Sequence, residues 1–215
     1  MLKMVGWFTA IVLLLVYATS SMTQAASIRI VGDTILYDGT VQKNDVKVIR
    51  GMVEVSGIKR ISLNSPGGVA MTGYALGYLF RELEMSVVVP KGNYCLSACA
   101  TAFLGGKEKT LEGTLGFHVA WSRQKGEYSN GMKAGQRLGA IDAVYHFEMG
   151  YTMQMQYVVS VVTDSENFLL LSAEDLDFLS FDVPEDFTRF NKLEDQWLSS
   201  RISGPLRTYF IIEGV

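Results

Sequence analysis

Two short segments, Asn64-Ser65-Pro66-Gly67-Gly68 and Cys95-Leu96-Ser97-Ala98-Cys99, constrain the fold more than any other feature of this chain. Each stands where an extended, apolar run ends and a helix-patterned run begins. Residues 60–63 read as a strand entering the first turn and 69–83 as the helix leaving it; Gly73 and Gly77 lie on one face of that helix and would let it press closely on a sheet. Residues 86–89 are a β-branched strand, and 97–104 a helix of small and apolar residues closed by Gly105-Gly106. Upstream, 34–41 reads as a strand with a turn at Asp38-Gly39, and 43–55 as a helix with Val46, Ile49, Met52 and Val53 on one face. Downstream, 115–121 reads as a strand carrying His118. Repeated strand-helix steps imply parallel strands with right-handed crossovers, hence an α/β fold. In such sheets ligands bind beyond the carboxyl ends of the strands, where both turns lie.

The remainder is less regular. Residues 122–135 are polar and Gly-rich and read as a surface loop. Residues 137–162 read as one long helix. Its Ile141, Val144, Phe147, Met149, Met153 and Met155 exceed a single core-facing stripe, which predicts a second buried face and contact with another subunit. Leu171-Ser172-Ala173-Glu174 reads as a helix start with Ser172 as N-cap. No element is assigned from residue 182 onward.

The two turns and His118 supply parts of a serine hydrolase. Ser97 opens a helix, where a Ser is commonly a cap; it is also where a nucleophile stands clear above a sheet and the helix N-terminus favours developing negative charge. The Ala98 amide would then be one oxyanion donor. Pro66-Gly67-Gly68 is either a tight turn or a backbone cradle that aims N–H groups at an oxyanion; Gly68 is the preferred second donor, with Gly67 next. His118, one of two His in the chain, is either a core residue of an apolar strand or the general base. His146, between Tyr145 and Phe147, reads as structural. Glu166 and Asp164 are the candidate orienting acids, or solvated charges at a helix end. Cys95 and Cys99 bracket Ser97, either as a disulfide or as two small buried thiols. They have poor zinc spacing.

Residues 1–25 read as a signal peptide: Lys3, an almost wholly apolar run over 5–18 that includes Ile11–Val16, and Thr23-Gln24-Ala25 as the cleavage site. The run is shorter than the ~20 residues that span a bilayer comfortably. Retention as an anchor is the alternative, and would be the chain's membrane contact. Residues 26–215 then form one exported domain, periplasmic or secreted, where a disulfide is chemically permitted. The formal charge of −3 and the lack of a basic block argue against nucleic acid as a partner.

Asn64-Ser65-Pro66-Gly67-Gly68-Val69, Ser97-Ala98 before a small-residue helix, His118, and Phe168 through Leu171-Ser172-Ala173-Glu174 together resemble the Clp-type serine peptidases. The resemblance covers about residues 35–182. It implies a ClpP/crotonase-like spiral of β-β-α units with a protruding long helix, often oligomeric. It also implies peptide or unfolded-protein substrates, a Ser97–His118–acid triad, an oxyanion hole at Gly68 and Ala98, and no cofactor or metal. Aligning Thr163 and Phe168 to the family's acid segment puts Glu166 in the acid column, with Asp164 second. The family's usual ATP-driven unfoldase partner is not expected in an exported protein. Two other readings use the same fold: a non-catalytic binding or assembly module, and an acyl-CoA enzyme of crotonase type, which export and the Ser-His pair argue against.

Overall fold

The computed structural model describes residues 25–119, 128–151, 153–164 and 167–178. The expected signal segment, all but its last residue, and the region beyond 178 lie outside the described residues. Among the described residues no helix is long and apolar enough to cross a membrane.

The described residues open with a hairpin that the sequence reading did not anticipate. β1 (Ser27–Val31) pairs antiparallel with β2 (Thr34–Asp38). Its residues are mostly solvent-exposed, so β1 carries little of the apolar alternation that marks a half-buried strand. α1 (Asp45–Ser56) follows, buries Ile49 and Val53, and ends at Gly57, whose φ of 71° is the left-handed cap geometry. β3 (Arg60–Asn64), α2 (Ala70–Glu82) and β4 (Ser86–Val89) form the next crossover unit. β5 (Tyr94–Leu96) leads directly into α3 (Ala98–Leu104), and β6 (Glu108–Leu111) and β7 (Thr114–Phe117) follow.

Two sheets result. The first has the order β1-β2-β3-β4-β6 and is parallel from β2 onward. The second places β5 parallel to β7, and β7 antiparallel to β8 (Leu169–Leu171). An isolated bridge between Ser65 and Cys95 joins the ends of β3 and β5. This bridge brings the two turns singled out in the sequence side by side. The parallel crossovers expected from the strand-helix alternation are present. The sequence reading assigns no element to the short β5 and β6.

The core lies between the first sheet and α1–α3, with Ile35, Ile61, Val87, Leu79, Phe80 and Phe103 fully or almost fully buried. Gly73 and Gly77 do sit at a close approach, but against helix rather than sheet. A Cβ at Gly73 would fall 2.4 Å from the Ala98 carbonyl oxygen, and one at Gly77 would collide with the Tyr145 hydroxyl. α2 is thereby pressed onto the start of α3, the helix that Ser97 opens.

The single long helix expected over residues 137–162 is two helices. α4 (Tyr128–Glu148) begins earlier, inside the stretch expected to be a loop, and α5 (Met153–Val162) follows after a break. Gly150 at φ 83° makes the break. Its N–H bonds to the Phe147 carbonyl and the Tyr151 N–H reaches back to His146, the paired bonds of a Schellman cap. Apolar residues continue on both sides of Gly150, so hydrophobic periodicity alone did not reveal the stop. The C-terminal half of α4 is packed on α2 through Tyr74–Asp142 and Tyr78–Glu148 hydrogen bonds and through buried Tyr145. That half therefore does not project from the body.

The last described element, α6 (Ala173–Phe178), starts as the sequence suggested. Ser172 Oγ accepts the Asp175 N–H, and the Asp175 carboxylate accepts the Ser172 N–H in return, a reciprocal capping box.

Candidate active site

Ser97 stands between β5 and α3 with φ 55° and ψ −124°. A positive φ is uncommon for a residue with a Cβ and costs on the order of 1–3 kcal/mol. Backbone bonds from both sides hold it there. The Leu96 N–H donates to the Ser65 carbonyl at 3.0 Å, the Ser97 N–H to the Gly116 carbonyl at 2.8 Å, and the Ser97 carbonyl accepts the Thr101 N–H at 3.0 Å. The serine thus occupies an N-cap position without capping through its side chain. Its Oγ instead lies 2.7 Å from His118 Nε2. That distance is within the range for proton transfer from a nucleophile to a base.

His118 follows directly after β7, where the strand's last buried residue, Phe117, gives way to a half-buried position. The expected strand over 115–121 ends at Phe117, so His118 stands beyond the carboxyl end of its strand, on the same rim as Ser97. Its ring stacks on Phe168 with centroids 4.4 Å apart and planes at 28°. The neighbouring Val119 N–H donates to Thr163 Oγ1 at 3.0 Å, and that hydroxyl donates to the Val159 carbonyl at 2.7 Å. Thr163 thereby ties the end of α5 to the backbone beside the imidazole. Sequence reasoning assigned no role to Thr163. Its position just before the candidate acids was the available signal.

The Gly turn is built so that no side chain fits. Gly67 has φ 94°, and a Cβ there would fall 2.6 Å from the Leu96 oxygen and 2.7 Å from the Ser97 Cβ. Gly68 has φ 150°, and its Cβ would fall 2.3 Å from the Val41 oxygen. The Gly67 N–H is engaged by Ser65 Oγ at 3.1 Å. Gly68 is bridged to Val41 in parallel register: Val41 N–H donates to the Gly67 carbonyl, and Val69 N–H to the Val41 carbonyl. That pattern leaves the Gly68 N–H pointing away from Val41. Of the two glycines, Gly68 is therefore the one whose donor is not consumed by the turn itself. The Ala98 amide lies at the first position of α3, whose initial N–H groups have no partner within the helix.

The candidate acids are not both visible. Glu166 lies outside the described residues. Asp164 is exposed, and its carboxylate accepts the Asn167 N–H at 2.9 Å and the Asn167 Nδ2 at 2.8 Å. Cys95 and Cys99 are a disulfide with Cα atoms 5.1 Å apart, linking β5 to the first turn of α3. Of the two options the sequence left open, the structure adopts the bridge.

Ser97 and His118 open onto a cavity of about 210 Å³ between α2, α3, α4 and α5. Phe117, Leu138 and Val159 give it apolar walls, and Tyr74, Asp142 and His146 a polar one. The Tyr74 hydroxyl donates to Asp142 at 2.8 Å. Burial first, and then the Asp142 carboxylate, hold the Tyr74 phenol well above its usual pKa, so it remains a proton donor. Among the described residues no group of three His, Cys, Asp or Glu is placed to hold a metal ion.

No protein-family model matches the chain, and no curated protein matches it. Among solved structures it is similar to a ClpP1 mutant from Listeria monocytogenes, with a TM-score of 0.53 and 18% identity over 69% of this chain and 87% of that one. The two-sheet α/β arrangement and this likeness together show that the chain has the ClpP/crotonase-like fold.

Proposed function

We propose that this chain is an exported serine peptidase of Clp type that cleaves peptides or unfolded protein. The observation that carries the reading is the 2.7 Å contact between Ser97 Oγ and His118 Nε2 at a backbone-strained helix start. Such strain persists only where surrounding structure enforces it, and it clusters at sites of chemistry.

The chemistry follows from the geometry. Ser97 Oγ attacks the scissile carbonyl carbon while His118 Nε2 takes its proton. The carbonyl oxygen becomes an oxyanion that accepts hydrogen bonds from the Gly68 and Ala98 amides, aided by the N-terminal end of α3. Collapse breaks the C–N bond, and His118 delivers its proton to the departing amine. A water, deprotonated by His118, then hydrolyses the acyl-serine. Phe168 fixes the ring plane by stacking. Glu166 is the proposed orienting acid, with Asp164 second. No cofactor enters this scheme. An exported member works without an ATP-driven partner, so substrates reach the site already unfolded or short.

Self-association is part of the proposal. Ile141, Val144 and Phe147 recur every third residue along α4 and are 39, 55 and 60% exposed. This apolar stripe is suited to a second copy of the chain.

Hydrolysis of a reduced, carboxymethylated protein tests the reading. The mature protein should release peptides, and Ser97→Ala and His118→Ala should each lose at least ~10³-fold in kcat/KM, the scale expected for triad members. A folded protein with no hydrolysis would instead favour the binding-module reading of the same fold.

A further inference from the structure

The cavity beside Ser97 ends on polar atoms that the hydrolytic chemistry does not use. His146, on α4, is 1% exposed and lines the cavity. Its Nδ1 lies 2.8 Å from the Asp142 backbone carbonyl, one turn earlier. A carbonyl can only accept, so Nδ1 carries the proton, and in the neutral ring Nε2 presents a lone pair. Among the described residues, His146 Nε2 and Gln156 Oε1 are both buried without a hydrogen-bond partner, and both residues line this same cavity. Both atoms are acceptors. An unsatisfied buried polar group costs about 1–3 kcal/mol. A ligand that donates to both atoms recovers that cost on binding.

We propose that this cavity is the primary specificity pocket, receiving the side chain on the acyl side of the scissile bond, and that it selects a carboxamide, glutamine or asparagine. The inference rests on the serine-peptidase reading. The carboxamide NH₂ has two donors for two acceptors, His146 Nε2 and Gln156 Oε1, and its methylene stem lies against Phe117, Leu138 and Val159. An apolar side chain of equal length leaves both acceptors unpaired. A lysine ammonium would have to shed its water against the same two acceptors. The Asp142 carboxylate accepts the Tyr74 hydroxyl and lies 3.4 Å from His146 Nδ1; among the described residues it is the one group in the cavity that would favour lysine, and a lysine substrate measures that competition. Sites built to hydrogen-bond a substrate group reject analogues lacking it far more strongly than apolar pockets distinguish sizes.

The test uses the mature protein and three peptidyl aminocoumarins that differ only in the residue before the fluorophore: glutamine, methionine and lysine. An alkyl fluorophosphonate with no side chain reports separately on Ser97. The expected result is a kcat/KM for glutamine at least ~10-fold above methionine and lysine, within the range set by one or two lost hydrogen bonds. The glutamine-to-methionine ratio should fall toward one in His146→Phe. Should that variant fail to fold, Gln156→Met, at a partly buried position, reads the same ratio. With Ser97 labelled, equal cleavage of glutamine and methionine, preference for methionine or lysine, cleavage of none, or a ratio unchanged in the variants overturns this inference alone. Absence of fluorophosphonate labelling overturns the peptidase reading and this inference with it.

Discussion

Ser97 holds its φ of 55° against the preference of every residue with a Cβ, and that strain gives the residue a signature apart from activity. Ser97→Gly removes the proposed nucleophile and also the strain. It should raise unfolding free energy by about 1 kcal/mol in urea denaturation while abolishing hydrolysis, the trade expected where function is held at the expense of stability. A destabilised glycine variant would mean that the serine side chain is a structural prop. At this scale the sequence was informative because the chemistry needs particular residue types at particular turns. Ser97, His118 and Pro66-Gly67-Gly68 could be placed from their positions at strand ends, and the structure brings them to one rim. Phe168 was legible only as part of a resemblance, and Thr163 not at all as a contributor. Their roles depend on contacts across 44 and more residues of chain, which no local pattern encodes.

At the scale of elements, the Cys95–Cys99 bridge ties the end of β5 to the first turn of α3 on either side of Ser97. A loop this short removes little entropy from the unfolded chain, about 2 kcal/mol in the chain-entropy treatment. Its larger consequence is local, because it restrains the turn that presents Ser97. The double variant Cys95→Ala/Cys99→Ala should stay folded, lose no more than about 2 kcal/mol of stability, and lose roughly 10-fold or more in kcat/KM, since a small misplacement of reacting groups is costly. Unchanged kcat/KM would assign the bridge to stability alone. The elements also show where periodicity fails as a guide. β5, β6 and β8 are three or four residues long, too short for alternation to register. β1 is an exposed hairpin strand with no buried face to mark it. The break at Gly150 is set by backbone geometry inside a continuously apolar stretch.

Over the whole molecule, the parallel core was legible because strand-turn-helix units repeat, and the crossover rule leaves few ways to arrange them. The second sheet was not, since β8 joins β7 from the far side of two helices and pairs antiparallel to it. The long helix was expected to stand out from the body; its C-terminal half instead closes the cavity beside Ser97, and its outward stripe is the proposed surface for a second copy. Val144→Glu places a charge in the middle of that stripe. It should weaken self-association at least ~10-fold by sedimentation equilibrium, the effect of about 1.4 kcal/mol. An unchanged association constant would move the contact to another face.

The central claim is that Ser97 is a nucleophile activated by His118. Intact mass spectrometry after reaction with an alkyl fluorophosphonate tests it most directly, because the reagent modifies an activated serine and spares an inert one. A single adduct is expected on the folded protein, mapped to the peptide containing Ser97, absent in Ser97→Ala and formed at least ~100-fold more slowly in His118→Ala, in line with general-base contributions of that order. No adduct on the folded wild-type chain, or an adduct that persists in Ser97→Ala, would contradict the account.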